Sequence, residues 1–183
     1  MTRSRPTIRS LRGTALVLLL AVAPACMDLE DIVYMAYRQY PVPQISTADF
    51  AAARADSATA LLVFDTRDPD EFAVSHLPGA IPVDPDIDGE TFLAQFGDSL
   101  DGRRVVFYCS VGWRSSAVLS RVVEGARERG ALSLANLRGG LFQWYNEGRP
   151  VVDAAGETDA IHPFGEMWEG LLVPRSQNGS GKE

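Results

Sequence analysis

The sequence predicts one α/β domain with a mainly parallel central sheet and helices on both of its faces. Three observations predict it. Short continuous apolar runs, ALLVFD (60–65) and RRVVFYC (103–109), have the character of strands buried on both faces. Helical patterns alternate with them, the clearest being RSSAVLSRVVEGARERG (114–130), where Val118, Leu119, Val122, Val123 and Ala126 form adjacent i, i+4 rows. The composition, 46% hydrophobic and 22% charged over 183 residues, is that of one ordinary core with extra sequence at its ends. Sheets of this kind place their ligands at the carboxyl ends of the strands.

The chain opens on an arginine-bearing stretch (1–13), then the apolar run ALVLLLAVA (15–23), then Ala23-Pro24-Ala25. These parts in that order read as a secretory signal over 1–25. The run is too short to span a bilayer as a permanent helix. No adjacent arginine pair precedes it, which favours the general secretion route. Cys26 follows at once, and Ala-Pro-Ala-Cys is similar to the lipobox of bacterial lipoproteins, whose cysteine carries the lipid. The expectation is an exported protein of the periplasm or cell envelope, anchored to the membrane through Cys26. Left unlipidated, the cleaved chain would begin with a bare thiol, chemically awkward outside the cell.

A leader helix and spacer are expected over 26–44: Ile32, Met35 and Ala36 share a helical face, and Pro41 and Pro43 stop the helix. The domain proper is expected over 45–152. Ser46 or Thr47 caps a helix in ADFAAARADS. After the strand ending at Asp65, DPDEFAVSHL reads as a short helix with Pro69 in its first turn, and PGAIPVD as a turn into a strand. GETFLAQFG is a helix, RRVVFYC a strand, and the long helix ends at Gly130. LSLANL is a weaker strand and GLFQWYNEG a last short helix. An extension over 153–183 follows, with IHPFGEMWEGLL apolar enough to dock back on the domain and disorder expected from Ser176.

The formal charge is −7, and four of the 17 basic residues, Arg3, Arg5, Arg9 and Arg12, fall in the expected signal, where no acid occurs. The remainder is more acidic still. That balance argues against a nucleic-acid partner, which Lys and Arg would have to hold. Two histidines and two cysteines show no zinc-type spacing, so no metal is expected, and no phosphate-binding glycine motif of the nucleotide type is present. No cofactor is expected.

The chemistry concentrates in FYCSVGWRSS (107–116). Cys109 closes a strand and a helix begins a few residues later, so backbone N–H groups and the positive end of the helix dipole converge near its sulfur. Arg114 adds a full positive charge, and Gly112 permits the positive φ that an N–H-lined cradle needs. A negative group on or near the sulfur is well held in such a place. Burial of Cys109 as a small hydrophobe is the competing expectation, and Gly-Trp-Arg-Ser-Ser directly after it speaks against that.

Three blocks in order, from about residue 45 to residue 152, resemble the single-domain rhodaneses, a sulfurtransferase family. FDTRDPDEFAVSHLPGAIPVD is similar to the family's first block at Asp65, Arg67, Glu71, Phe72, His76, Pro78, Gly79 and Ala80. The Cys109 loop is the second. NLRGGLFQWYNEGRPVV matches the last at Leu137, Gly139, Gly140 and Trp144. The resemblance implies that Cys109 takes a sulfur from a donor such as thiosulfate, becoming a persulfide, and that a thiol or cyanide then removes it. The N–H groups of Ser110, Val111, Gly112, Trp113, Arg114 and Ser115 would stabilise the persulfide; Arg114 would hold the donor's charge. Trp113 is expected either at the pocket rim or packed beneath the loop.

Cysteine phosphatases of related architecture use Cys-x5-Arg, which surrounds a whole phosphate. Here four residues separate Cys109 and Arg114, a loop sized for one extra sulfur. A phosphatase or arsenate reductase, a non-catalytic binding module and a thiol-redox protein are the competing functions; the last lacks a resolving cysteine if Cys26 is lipidated. Asp65, Arg67 and Glu71 are expected to tie loops together, His76 to bond backbone before Pro78, and Gly139 and Gly140 to permit a close turn beside the active loop. Packing is the expected role of the segment around His162.

Overall fold

A computed structural model of the chain describes residues 27–175. The expected signal and the expected lipidation of Cys26, like the tail from Ser176, lie outside the described residues.

Asp28 caps the leader helix α1 (Leu29–Gln39) by accepting from the Asp31 N–H, and Asp31 returns a bond to the Asp28 N–H. The proline-bearing spacer leads to a two-residue strand, β1 (Gln44–Ile45). Ser46 then caps α2 (Thr47–Ala55), its hydroxyl accepting from the Asp49 N–H at 3.0 Å. There follow β2 (Leu61–Asp65), α3 (Pro69–Val74), β3 (Ile81–Pro82), α4 (Gly89–Phe96), β4 (Arg104–Tyr108), α5 (Trp113–Glu128), β5 (Ser133–Leu137) and α6 (Gly140–Asn146). The strands form one parallel sheet in the order β1-β5-β4-β2-β3. That is the doubly covered sheet the apolar runs require.

Alternation along β2 and β4 divides the core. Phe64, Val105 and Phe107 face α4 and α5, packing on Phe92, Val118, Leu119 and Val122. Val63, Val106 and Tyr108 face the other way, onto Phe50 of α2 and Leu141, Trp144 and Tyr145 of α6. Each fully buried Leu or Phe contributes about 1.5–3 kcal/mol, so both faces hold the sheet.

Past α6 the chain forms an antiparallel hairpin, β6 (Val151–Asp153) with β7 (Gly156–Thr158), which the sequence reading did not anticipate. It straddles residue 152, where the domain was expected to end. Its first strand is tied in by His76, whose N–H donates to Val152 O at 2.8 Å and whose carbonyl accepts from Val152 N at 2.9 Å. A single-turn helix, α7 (Glu166–Glu169), is the last helix among the described residues. Ile161, Trp168, Leu171 and Leu172 pack with Ile32, Val111 and Phe142, so the two flanks of the domain meet in a small core of their own. Among the described residues no helix is long and apolar enough to cross a membrane.

Candidate functional site

Central strand β4 delivers Cys109 to the carboxyl edge of the sheet, and the chain turns there through Ser110, Val111 and Gly112 into α5. Gly112 takes φ 94°, which lets its N–H point back and donate to Cys109 Sγ at 3.2 Å. The loop is thus closed on its own sulfur, at the amino end of a 16-residue helix.

The backbone of α6 braces the loop from behind. Leu141 N–H donates to Cys109 O at 2.8 Å and Phe142 N–H to Ser110 O at 2.9 Å. Gly140 makes this approach possible: at φ 58°, a Cβ there would lie 2.3 Å from Cys109 O. The glycine pair therefore sits directly against the active loop.

Glu71, from α3, reaches the loop from the side. It is 1% exposed. Its Oε2 accepts from Arg114 Nη1 at 2.6 Å, and its Oε1 accepts from Arg114 Nη2 at 2.9 Å and from Ser110 Oγ at 2.8 Å. Burial alone would raise the Glu71 pKa, but the Arg114 bonds and charge, with Ser110 and the Asp68 N–H, outweigh it and hold the carboxyl below the usual range. On Arg114, burial pulls downward and is overcome by the Glu71 bond and by attraction to Cys109 and Glu71, leaving the guanidinium pKa raised. Arg114 also bonds Asp68 at 3.1 Å and Ser110 Oγ at 3.2 Å, and its Cζ lies 4.6 Å from the Phe164 ring centroid. Both terminal nitrogens of the arginine expected to hold the donor's charge are engaged within the protein.

The remaining loop residues divide by environment. Val111 is buried among Ile32 and Phe142. Ser115 is buried and its hydroxyl donates to Asn136 Oδ1 at 2.6 Å, away from the sulfur. Trp113 stands at the rim of the cavity rather than beneath the loop, 37% exposed and edge-on to Tyr40. Asp65 and Arg67 form a buried pair, with Arg67 Nη2 at 2.7 Å from Asp65 Oδ2 and also donating to Ser75 O at 2.6 Å. His76 bonds Phe72 O through Nδ1 at 3.0 Å and stacks on the Phe72 ring, which places it in a turn and outside the Cys109 loop. His162 accepts from the Phe164 N–H at 3.0 Å.

Above Cys109 lies a cavity of about 350 Å³. Beside the loop it is lined by Met27, Ile32 and Met35 from the leader and by Phe164 and Trp168 from the extension. These walls were not identified from sequence, although the apolar face of α1 and the apolar extension were visible there. Among the described residues no group of three or more His, Cys, Asp or Glu is placed to hold a metal ion.

A family model, the Rhodanese-like domain, matches residues 46–147. No curated protein matches the chain. Among solved structures, a protein from Bacillus halodurans is 18% identical over 78% of this chain and 98% of its own, at a TM-score of 0.50. A thiosulfate sulfurtransferase from Pseudomonas aeruginosa is also 18% identical over 78% of this chain, which covers 26% of that longer one, at a TM-score of 0.52. A Rhodopseudomonas palustris protein described as a possible tyrosine phosphatase is 23% identical over 67% of this chain and 92% of its own, at a TM-score of 0.48. At such identities the first two share the fold with this chain.

Proposed function

The chain belongs to the family of rhodanese-like domains, and on that premise we propose that it is a sulfurtransferase working through a persulfide on Cys109. The Cys109 thiolate attacks the outer sulfur of a donor such as thiosulfate. The donor's S–S bond breaks, sulfite leaves with the electron pair, and Cys109 carries the extra sulfur as a persulfide anion. A thiolate or cyanide then attacks that outer sulfur and regenerates Cys109. Backbone N–H groups of the loop and the amino end of α5 stabilise the anion in between.

One observation carries the choice of chemistry. The Gly112 N–H is aimed at Cys109 Sγ while Arg114 is turned onto Glu71. A phosphatase or arsenate reductase needs its arginine to grip the oxyanion in two places. Here that fork grips Glu71, and the loop retains what a single sulfur atom requires.

The full chain incubated with thiosulfate should gain one sulfur on Cys109 by mass spectrometry, and Cys109→Ser should gain none. Cyanide should then yield thiocyanate in turnover. Cys109-dependent hydrolysis of p-nitrophenyl phosphate without a sulfur adduct would select the phosphatase reading, and no hydrolysis together with no adduct from either thiosulfate or an organic persulfide would leave a binding module.

A further inference from the structure

The cavity over Cys109 is nearly all apolar. Met27, Ile32, Met35, Val111, Phe164 and Trp168 supply its walls. Among the described lining residues only Arg114 is charged, and its terminal nitrogens are taken by Glu71, Asp68 and Ser110 while Phe164 covers its face. A dianion entering this space gives up its water and meets no uncommitted cation, which is unfavourable. An apolar body entering it gains by leaving water.

The segments that carry these walls are tied to the domain. On the extension side, Asn146 Nδ2 donates to Leu171 O at 2.7 Å and Asn146 Oδ1 accepts from the Val173 N–H at 2.8 Å. Arg175 lies 4.0 Å from the Tyr145 ring centroid and closes the strap. On the leader side α1 is capped at its start and Ile32 is 3% exposed. Phe164 is held at φ 69°, a conformation that a bulky side chain rarely adopts, and it is the residue laid over Arg114. A volume of about 350 Å³ is that of a site for a small organic molecule.

We infer that the partner in sulfur exchange is a small organic thiol with an apolar aryl or alkyl body, together with its persulfide, in preference to a small inorganic anion. The inference rests on the persulfide reading of Cys109. The thiol, as RS⁻, attacks the outer sulfur of the Cys109 persulfide; a new S–S bond forms, the old one breaks, and the products are RSS⁻ and the Cys109 thiolate. The same chamber holds R when the reaction runs backwards and RSS⁻ is the donor.

Two measurements on the full chain test this. Thioanisole, which cannot transfer sulfur, should slow alkylation of Cys109 by iodoacetamide, while methanesulfonate should not. With the persulfide loaded, thiophenol should exceed 4-mercaptobenzenesulfonate in kcat/KM by about tenfold or more, because the sulfonate must give up its water to enter an apolar chamber. Met35→Lys should bring that ratio toward one; Phe164→Ala, at a partly exposed position, should lower it with less demand on folding. Protection by thioanisole without any persulfide on Cys109 would overturn the sulfur-transfer reading and uphold the chamber's preference. A persulfide that forms, with both thiols used equally and no protection, would overturn the inference and keep that reading.

Discussion

The Glu71 carboxylate holds both terminal nitrogens of Arg114, at 2.6 and 2.9 Å, and through Ser110 Oγ it also holds the residue next to Cys109. One buried acid from α3 thereby fixes both ends of the active loop. Glu71→Gln should cost about 2–3 kcal/mol by urea denaturation, less than the ~3–5 kcal/mol of breaking a fully buried pair, because Arg114 keeps 21% of its side chain exposed. Sulfur loading of Cys109 should fall with it.

The same pair sets a pH dependence. The folded Glu71 pKa lies below the ordinary value because the bonds to Arg114, Ser110 and the Asp68 N–H outweigh the effect of burial. Its contribution to stability is therefore full above the unfolded value of about 4.3 and is lost as pH falls through the folded value. Chemical denaturation between pH 7 and pH 3 should show the wild type losing stability below about pH 5 more steeply than Glu71→Gln. Parallel curves would remove Glu71 from the account.

Gly140→Ala should damage fold and loop together. The positive φ alone costs about 1–2 kcal/mol, and the new methyl would meet Cys109 O at 2.3 Å and Ser110 O at 2.7 Å. Crowding of that kind adds about 1–3 kcal/mol. Gly79→Ala, at φ 74° with nothing within 4 Å of the added carbon, should show the backbone cost only. The difference between the two urea midpoints isolates the contact with the loop.

Ser115 secures the first turn of α5 to the neighbouring strands: its hydroxyl donates to Asn136 Oδ1, and Asn136 Nδ2 donates to Gln44 Oε1 at 2.8 Å. Ser115→Ala leaves the Asn136 oxygen buried without that donor and should cost about 1–3 kcal/mol in thermal or urea unfolding. Restoration by Ser115→Thr would tie the loss to the hydroxyl.

Export and anchoring are tested apart from the fold. In cells making the full chain, palmitate label should enter the protein and disappear in Cys26→Ser, and the labelled protein should sediment with membranes. Label that persists in the variant would place the lipid elsewhere.

The sheet was legible because its strands are buried on both faces and so appear as unbroken apolar runs. The helices were legible from Ser46 and Pro69 at their starts and the rows around Val118. Cys109 and its loop stood out because nucleophile, glycine and arginine are close in sequence. Glu71 was expected to tie loops together, but its pairing with Arg114 was not visible, since the two lie 43 residues apart and only the folding of α3 beside α5 joins them. Short β1 and the β6–β7 hairpin escaped for a related reason: two or three residues carry no periodicity, and their pairing is decided by distant partners such as Asn136 and His76. The chamber walls were visible as apolar stretches, but nothing in sequence says that Met35 and Phe164 face one cavity.

Apart from Val111 and Trp113, those walls come from stretches on either side of the span 46–147, whereas the nucleophile and its braces lie within it. On the sulfur-transfer reading, reactivity and selectivity are largely encoded in separable parts of one chain. Exchanging 27–43 and 159–175 for the flanks of another member would retarget the same catalyst without altering its engine. Trimming either flank should then widen the range of thiols that reach Cys109.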